Sequence, residues 1–325
     1  MGVAAGPAPD ARKLTRRIAI RPGDLLLQLV TGAAALAATA LVLLVAVQLF
    51  RDAWPAIQRF GFGFLKDSVW DPGQGQVFGA ASFIFGTILT SLIALALAAP
   101  LSIAIALFLT ELAPRFLRGP LTALVETLAA VPSVVLGLWG ILVLGPAVIR
   151  IEPWLHAHLG FIPFFGTPSA SGTGILPAVL ILTIMMLPII SSIARELFLS
   201  VPRDLKDGAL ALGMTRWEMV RGVVLPYTKA GLSAAMILGT GRAIGEAIAV
   251  TQVIGGAVAI QWNLFANGDT LAGRIAAQYQ GADSNLQIAS IVYLAAILLV
   301  ISLIVNLVAQ WIVRRFTRTH RRARA

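Results

Sequence analysis

The chain has 325 residues, of which 58% are hydrophobic and only 12% are charged, about half the charged share of an ordinary soluble domain. Apolar runs longer than the roughly 20 residues that cross a bilayer recur along nearly its whole length, which excludes a large water-soluble domain. It contains no cysteine for a disulfide or thiolate site, and its net charge of +10 comes from basic blocks beside apolar runs, which is typical of membrane topology rather than nucleic-acid binding.

Six long apolar segments predict an all-α integral membrane protein with six transmembrane helices. A basic tail over residues 1–24 precedes them and a basic tail over 314–325 follows, so residues 25–313 form one membrane domain. The first apolar run is long and lacks a convincing cleavage site, so we interpret it as an uncleaved span rather than a secretory signal. The predicted spans are 25–50, 82–112, 121–149, 174–199, 230–255 and 286–313.

The distribution of Lys and Arg predicts the orientation of these spans. Nineteen of the 25 basic residues lie in the two tails and in the connections after spans two and four. Only five lie in the connections on the opposite side, and Arg242 lies within a span. Because cytoplasmic segments carry the excess of Lys and Arg, both termini are predicted to be cytoplasmic.

Several polar residues fall within or beside the predicted spans. Ser133 and Gln252 are candidates for polar groups on a path through the membrane. Glu126, near the start of the third predicted span, is expected to stabilise the positive end of that helix. Glu111 and Arg115 have the spacing of an i, i+4 ion pair.

The segment EPWLHAHLGF contains two histidines, His156 and His158, with one residue between them. Such a pair can bind a metal ion, but an amphipathic loop lying on the membrane is the favoured interpretation. We therefore expect no metal and no cofactor in this chain.

The connection after the fourth span, within residues 201–231, predicts two short helices. The first covers RDLKDGALALG and breaks at Gly213; the second covers TRWEMVRGVV and is expected to end at Leu225-Pro226. Thr215 and Glu218 have the spacing of a capping box at the start of the second helix. The result is a compact cytoplasmic knob, with an ordinary amphipathic interfacial loop as the alternative.

Within the predicted fifth span, the stretch GRAIGEAIAV (241–250) places Arg242 and Glu246 inside an apolar run. Four residues of helix would put both on one face, about 6 Å apart along the axis. A charge at mid-membrane costs about 2.5–3.5 kcal/mol, which an ion pair would partly offset. The pair could therefore neutralise itself and help two helices pack, or it could line a polar path.

The loop after span four resembles the EAA loop of ABC importer permeases, in which Glu-Ala-Ala is followed by a glycine and then by an aliphatic-x-Leu-Pro end. Asp207, Gly208 and Ala209 occupy the first part, Gly213 matches the glycine, and Leu225-Pro226 matches the end. The resemblance implies a type I ABC importer permease fold, in which a coupling helix within loop 201–226 docks onto a cytoplasmic ATP-binding subunit.

The chain also lacks the sequence pattern of an ATPase. None of its four lysines follows a glycine, as a P-loop that holds nucleotide phosphates requires. The chain is therefore predicted to be no enzyme, with ATP hydrolysed by a partner subunit.

Three further stretches narrow the resemblance to the permease subunits of the phosphate-specific transport system. They are FGTILTSLIALALAAPLSIAIALFLTELAP (85–114), VETLAAVPSVVLGLWG (125–140) and GRAIGEAIAV (241–250). The Glu-Leu-Ala-Pro that ends span two, the Leu-Trp-Gly after Pro-Ser and the outer segment TLAGRIAAQY (270–279) favour the C-type over the A-type subunit. The resemblance implies a bacterial inner-membrane heterodimer with an A-type sister permease, two cytoplasmic ATP-binding subunits and a periplasmic phosphate-binding protein. It also places Arg242 and Glu246 in the translocation path for inorganic phosphate.

In this interpretation, Arg242 attracts phosphate because a guanidinium donates two parallel hydrogen bonds and stays ionised away from water. Glu246 moderates release, and it discriminates because a carboxylate accepts a hydrogen bond from protonated phosphate but not from fully ionised sulfate. A permease for sulfate, molybdate or another oxyanion is the nearest alternative. A stand-alone ion-coupled secondary transporter and a membrane scaffold or sensor are the others.

Overall fold

The computed structural model of this chain describes residues 22–73 and 75–322. Most of the tail predicted over 1–24, and the last three residues of the tail predicted over 314–325, lie outside the described residues. Six described segments are long and apolar enough to cross a membrane, which confirms the prediction of a six-span, all-α protein. They are Gly23–Leu65, Ala81–Leu112, Ser133–Leu159, Ile175–Leu199, Arg216–Gly245 and Asn285–Trp311.

Helices account for most of the described chain. In chain order they are α1 (Pro22–Phe60), α2 (Ala81–Leu107), α3 (Arg115–Ala129), α4 (Ser133–Trp139), α5 (Gly145–Leu159), α6 (Ile175–Leu199), α7 (Arg203–Ala211), α8 (Arg216–Met219), α9 (Leu225–Gly245), α10 (Ile248–Val253), α11 (Leu271–Gln278) and α12 (Asn285–Arg322). Between α1 and α2, strands β1 (Trp70–Asp71) and β2 (Val77–Phe78) form a small antiparallel hairpin. Short 3₁₀ or π-helical turns lie at Gly61–Leu65, Phe108–Leu112, Gly140–Leu144, Val220–Val224 and Tyr279–Gly281.

The chain divides into two compact units, Met1–Gln48 and Leu49–Ala325. The described residues of the first unit, 22–48, form the first part of α1. Their side chains are mostly apolar and almost all exposed, which suits contact with lipid.

The core of the second unit is centred on α6, which packs against α2 and α9. Small residues let these helices approach closely. Such close packing matters in lipid, because apolar burial provides little driving force for association between helices there. At Gly239 a Cβ atom would lie 2.9 Å from the side chain of Ile190, so a larger residue there would force α9 away from α6. Ala94 and Ala98 on α2 are fully buried in the same core.

The limits predicted for the third span, 121–149, are wrong. Residues 115–129 form the separate helix α3, which has no buried residue, and the span itself is Ser133–Leu159. Pro132 explains the break, because proline disfavours helical geometry in the preceding residue and cannot donate a backbone hydrogen bond. Glu126 therefore lies near the end of α3 rather than at the start of a span.

The limits predicted for the fifth span, 230–255, are also wrong, since the span is Arg216–Gly245. Leu225-Pro226 does not end the second loop helix. Instead α8 continues through the π-helical turn Val220–Val224 into α9. Pro226 lies in the first turn of α9. Proline has no backbone N–H to donate, and the π-helical turn before it lets the helix continue without that hydrogen bond.

Candidate functional site

A cavity of about 880 Å³ lies along α9, between α6 and α12. Four polar side chains line it: Arg242 and Glu246 at the end of α9, and Asn306 and Gln310 on α12. The apolar part of its wall is formed by Ile189, Ala234, Ile237, Leu238, Gly241 and Gly245. The structure thus places the two charged residues predicted for the fifth span at one cavity.

Arg242 lies near the middle of the membrane-spanning region. It also borders a smaller cavity of about 210 Å³, together with Met185 and Ile189 of α6 and residues at the break between α3 and α4. The helix α6 has 25 residues and is therefore roughly 37 Å long. Because Met185 and Ile189 flank its midpoint, the guanidinium is close to the centre of the span.

The prediction that Arg242 and Glu246 share one helical face is wrong. The helix α9 ends at Gly245, and Glu246 has an extended backbone with φ −72° and ψ 121°. Among the residues that the structure describes, no ion pair joins the two side chains. The Glu246 carboxylate instead accepts a 3.3 Å hydrogen bond from the backbone N–H of Ala249, at the start of α10.

This geometry disfavours the self-neutralised pair. Arg242 is exposed in the isolated chain, and its guanidinium has no hydrogen-bond or ion-pair partner in the described part of the chain. Glu246 is half-buried and lines the same cavity. The donors of Arg242 are consequently available to an anion, with a carboxylate nearby.

The amides Asn306 and Gln310 were missed by the sequence reasoning. They lie four residues apart on α12 and therefore share a face, which is directed at the cavity. Asn306 approaches α9 at Gly241, where a Cβ atom would lie 4.0 Å from the Asn306 Oδ1 atom. The available signal was two amides at helical spacing inside the sixth apolar run, where a polar side chain is costly and so points to function.

Ser133 and Gln252 line neither the 880 Å³ cavity nor the 210 Å³ cavity. Gln252 lies on α10 and packs against α4, since a Cβ atom on Gly137 would fall 2.7 Å from its Oε1 atom. Ser133 is the first residue of α4 and is half-buried. Their assignment to a substrate path stays a prediction.

The two histidines of the third span make local contacts. The Nδ1 atom of His156 lies 3.0 Å from the carbonyl oxygen of Phe165, and that of His158 lies 2.8 Å from the carbonyl oxygen of Trp154. Within residues 22–73 and 75–322, no group of three or more His, Asp or Glu side chains is arranged to hold a metal ion.

The loop between spans four and five contains the two predicted local features. Gly213 adopts φ +84°, a left-handed conformation that glycine reaches without strain, and this confirms the predicted break. Thr215 and Glu218 form the predicted capping box, with the Thr215 N–H donating to the Glu218 carboxylate at 2.8 Å. Two backbone donors at the start of α8 are thereby satisfied.

The helix α7 in this loop is anchored on one side and exposed on the other. Lys206 forms an ion pair with Glu111, at the end of the second span, and donates a 3.0 Å hydrogen bond to the carbonyl of Phe198. The predicted pairing of Glu111 with Arg115 is therefore wrong. Ala209 is buried, whereas Asp207 and Gly208 are exposed.

Large apolar side chains that follow α7 in sequence are exposed, as Asp207 and Gly208 are. Leu212 is 83% exposed and Trp217 is 65% exposed. Leu225 and Pro226, at the far end of the predicted loop motif, form the first turn of α9, and their part in coupling to an ATPase stays a prediction. Exposed large apolar side chains close to one another are typical of a protein-binding surface.

The connection between α10 and α12 contains a second arginine–carboxylate combination that the sequence reasoning did not single out. Arg274 on α11 forms a 2.8 Å ion pair with Asp269, and its guanidinium carbon lies 4.7 Å from the ring centre of Phe83. Burial raises the pKa of Asp269 above its ordinary value, and the charge of Arg274 opposes that rise. The pair anchors α11 beside α2, where the N–H of Leu271 donates to Thr87.

Comparison with known proteins identifies the protein family. Residues 98–318, which include both the Arg242 cavity and the loop after span four, match the family described as "Binding-protein-dependent transport system inner membrane component". The chain belongs to this family. The permease is accordingly a multi-pass inner-membrane subunit of an ABC transport system.

Relatives of this permease carry a more specific name. It is 41% identical over 306 residues to the "Phosphate transport system permease protein PstC" of Mesorhizobium japonicum, with 92% of each chain covered. It is 40% identical over 279 residues to the protein of the same name from Haemophilus influenzae, with 84% of this chain and 87% of that protein covered.

A solved structure supports the fold. The permease superposes on a chain of the bacterial alginate ABC transporter in complex with an alginate-bound periplasmic protein, with a TM-score of 0.61 and 16% identity. The superposition covers 91% of this chain and 97% of the other. This likeness and the family match confirm the type I ABC importer permease fold predicted from the sequence.

Proposed function

We propose that this permease forms half of the translocation path of an ATP-driven phosphate importer in a bacterial inner membrane. It pairs with an A-type sister permease and works with two cytoplasmic ATP-binding subunits and a periplasmic phosphate-binding protein. Both termini are cytoplasmic in this arrangement. The proposal draws on the names of relatives about 40% identical over most of the chain.

One structural observation carries the proposal: Arg242 is at mid-span, in a polar-lined cavity, with no ion-pair partner among the described residues. A guanidinium at this depth can donate two parallel hydrogen bonds to two oxygens of phosphate. Glu246 can accept a hydrogen bond from the protonated oxygen of hydrogen phosphate, which sulfate lacks. The pairing of one donor group with one acceptor group therefore favours phosphate over sulfate.

The energy for transport reaches the path through the loop after span four. The exposed Asp207 and Gly208 present α7 to an ATP-binding subunit, while Gly213 allows the turn that follows. The buried Ala209 and the ion pair between Lys206 and Glu111 attach α7 to the body of the permease. Movement of the docked subunit is thereby transmitted to the inner end of the second span.

The experiment is phosphate uptake by the complete transporter in proteoliposomes, with sulfate or molybdate as competitors. We expect phosphate uptake that requires ATP and is resistant to a tenfold excess of either competitor. Preferred uptake of sulfate or molybdate would favour the alternative oxyanion permease. Gradient-driven uptake by this chain alone would contradict the ATP-driven arrangement.

The Glu246→Gln variant tests the discrimination step. The amide keeps the size of the side chain but removes the negative charge that accepts the hydrogen bond of protonated phosphate. Sulfate exclusion should therefore weaken about tenfold, the effect of one hydrogen bond to a charged group. Ser233→Ala, on the same helix and outside the cavity lining, serves as the control. Unchanged phosphate uptake together with unchanged sulfate exclusion would rule out this role of Glu246.

A further inference from the structure

A second polar cavity lies near the inner end of α6, beside the loop that follows the fourth span. It has a volume of about 260 Å³ and lies between α3, the end of the second span and the last turns of α6. Its polar lining consists of Thr110, Arg118, Thr122, Glu126 and Arg195. This group is separate from the four polar residues of the 880 Å³ cavity, which include Arg242.

The helix α3 contributes a regular polar stripe to this cavity. Arg118, Thr122 and Glu126 follow one another at intervals of four residues and therefore share one face of the helix. The helix has no buried residue. Packing of a protein core does not explain the stripe, and the stripe is directed at the cavity.

The two arginines retain donors for a ligand. The Nε atom of Arg118 donates a 2.8 Å hydrogen bond to the carbonyl of Ala113, which fixes the guanidinium and leaves its terminal nitrogens without partners in the described chain. Arg195 uses one terminal nitrogen in a 2.9 Å contact with Glu196, whose side chain is 70% exposed. Since Glu126 contributes one negative charge, the cavity lining carries a net charge of about +1.

The position of the cavity follows from two helices independently. On α6, Ile189 borders the Arg242 cavities, whereas Arg195 and Leu199 border the second cavity, about 9–15 Å further along the axis. On α3, Ala129 borders the smaller Arg242 cavity, whereas the second cavity extends from Glu126, about 4–5 Å along the axis, to Arg118, about 16 Å along it. Both helices therefore place the middle of the second cavity roughly 10 Å along their axes from the residues that border the Arg242 cavities, toward the loop that docks the ATP-binding subunit.

We infer that this second cavity is an exit station, at which Arg118 and Arg195 hold the transported phosphate after it leaves Arg242 and before it enters the cytoplasm. The inference rests on the proposed function. A path with two modest binding sites conducts better than one with a single deep site, because each site must also release the ion. Glu126 limits the positive charge of the station and thereby keeps the anion from being trapped.

The test is the Arg118→Gln/Arg195→Gln double variant of the complete transporter, in proteoliposomes made only of zwitterionic lipid and, in parallel, in proteoliposomes that also contain anionic lipid. We expect phosphate uptake per ATP hydrolysed to fall about tenfold, while ATP hydrolysis stimulated by the binding protein stays within about twofold of the wild type. The Arg118→Gln/Arg195→Lys variant keeps the charge at position 195 and should take up more phosphate per ATP than the double glutamine variant. The control Arg115→Gln changes an exposed arginine of α3 outside the cavity lining and should change neither rate.

Three results would overturn the inference: uptake equal to the wild type, an equal loss of uptake and ATP hydrolysis, or a defect seen only with anionic lipid. The second result would indicate a packing role, and the third a phospholipid headgroup site with the same phosphoryl chemistry. If the double variant does not assemble, each single glutamine variant should lower uptake per ATP about threefold, and wild-type values in both would overturn the inference. Failure of the wild type to import phosphate would instead refute the proposed function.

Discussion

Two arginine–carboxylate combinations of nearly equal sequence spacing have opposite structures in this permease. Asp269 and Arg274 form a 2.8 Å ion pair, with side chains that are only 4% and 9% exposed. Arg242 and Glu246 form no ion pair, and both line an open cavity. The closed pair attaches one part of the protein to another, whereas the open pair is available to a ligand.

The local backbone causes the difference. Asp269 immediately precedes Thr270, whose side chain caps α11, so Asp269 and Arg274 lie at the same helix terminus. The break after Gly245 instead turns Glu246 away from α9 and towards the N-terminus of α10. A spacing of four or five residues in sequence therefore does not predict a contact where a helix ends between the two residues.

The largest effect is expected on stability, when the ion pair between Asp269 and Arg274 is broken. Asp269→Asn leaves the buried Arg274 without its counter-charge, which should lower the free energy of unfolding by about 3–5 kcal/mol. The measurement is the midpoint of thermal unfolding of the purified transporter in detergent. The double variant Asp269→Asn/Arg274→Met should recover much of the loss, and an unchanged midpoint in Asp269→Asn would show that the pair contributes little.

Exchanging the charges of the open pair should abolish transport. In the Arg242→Glu/Glu246→Arg variant the two charges are both retained, so an ion pair that only neutralises itself would still function. An anion site requires the guanidinium at position 242, so we expect phosphate uptake to fall at least about hundredfold. Uptake near the wild-type rate in proteoliposomes would restore the packing interpretation of these residues.

A smaller effect is expected from the amide beside the open pair. Asn306→Leu keeps a similar side-chain size but removes a hydrogen-bonding group from the Arg242 cavity, so phosphate uptake should fall about three- to tenfold. Leu307→Ala changes an exposed neighbour on α12 outside the cavity lining and is the matched control. Equal uptake by the two variants would remove Asn306 from the proposed path.

The sequence was most informative where a single local rule decides the structure. Apolar length predicted six spans, and the glycine and capping-box rules predicted the turn at Gly213 and the cap formed by Thr215 and Glu218. Proline was a less reliable indicator of where a helix ends. Pro132 interrupts the third predicted span, while Pro226 is accommodated in the first turn of α9 after a π-helical turn.

The contents of the site depend on tertiary structure and were predicted only in part. Arg242 and Glu246 were identifiable because a charge inside an apolar run is costly. Glu111 pairs with Lys206, which lies 95 positions away in sequence, so no local sequence pattern could predict this ion pair. Asn306 joins the Arg242 cavity only because α12 packs against α9, a contact that the spacing of residues in sequence does not contain.

The most direct test of the open site is the Arg242→Gln variant of the complete transporter, measured for phosphate uptake and for the midpoint of thermal unfolding on the same preparation. Because Arg242 has no ion-pair partner among the described residues, we predict that uptake is lost while the unfolding midpoint stays within about 2 °C of the wild type, as for a surface substitution. Wild-type uptake, or a fall in the midpoint as large as that of Asp269→Asn, would contradict the account.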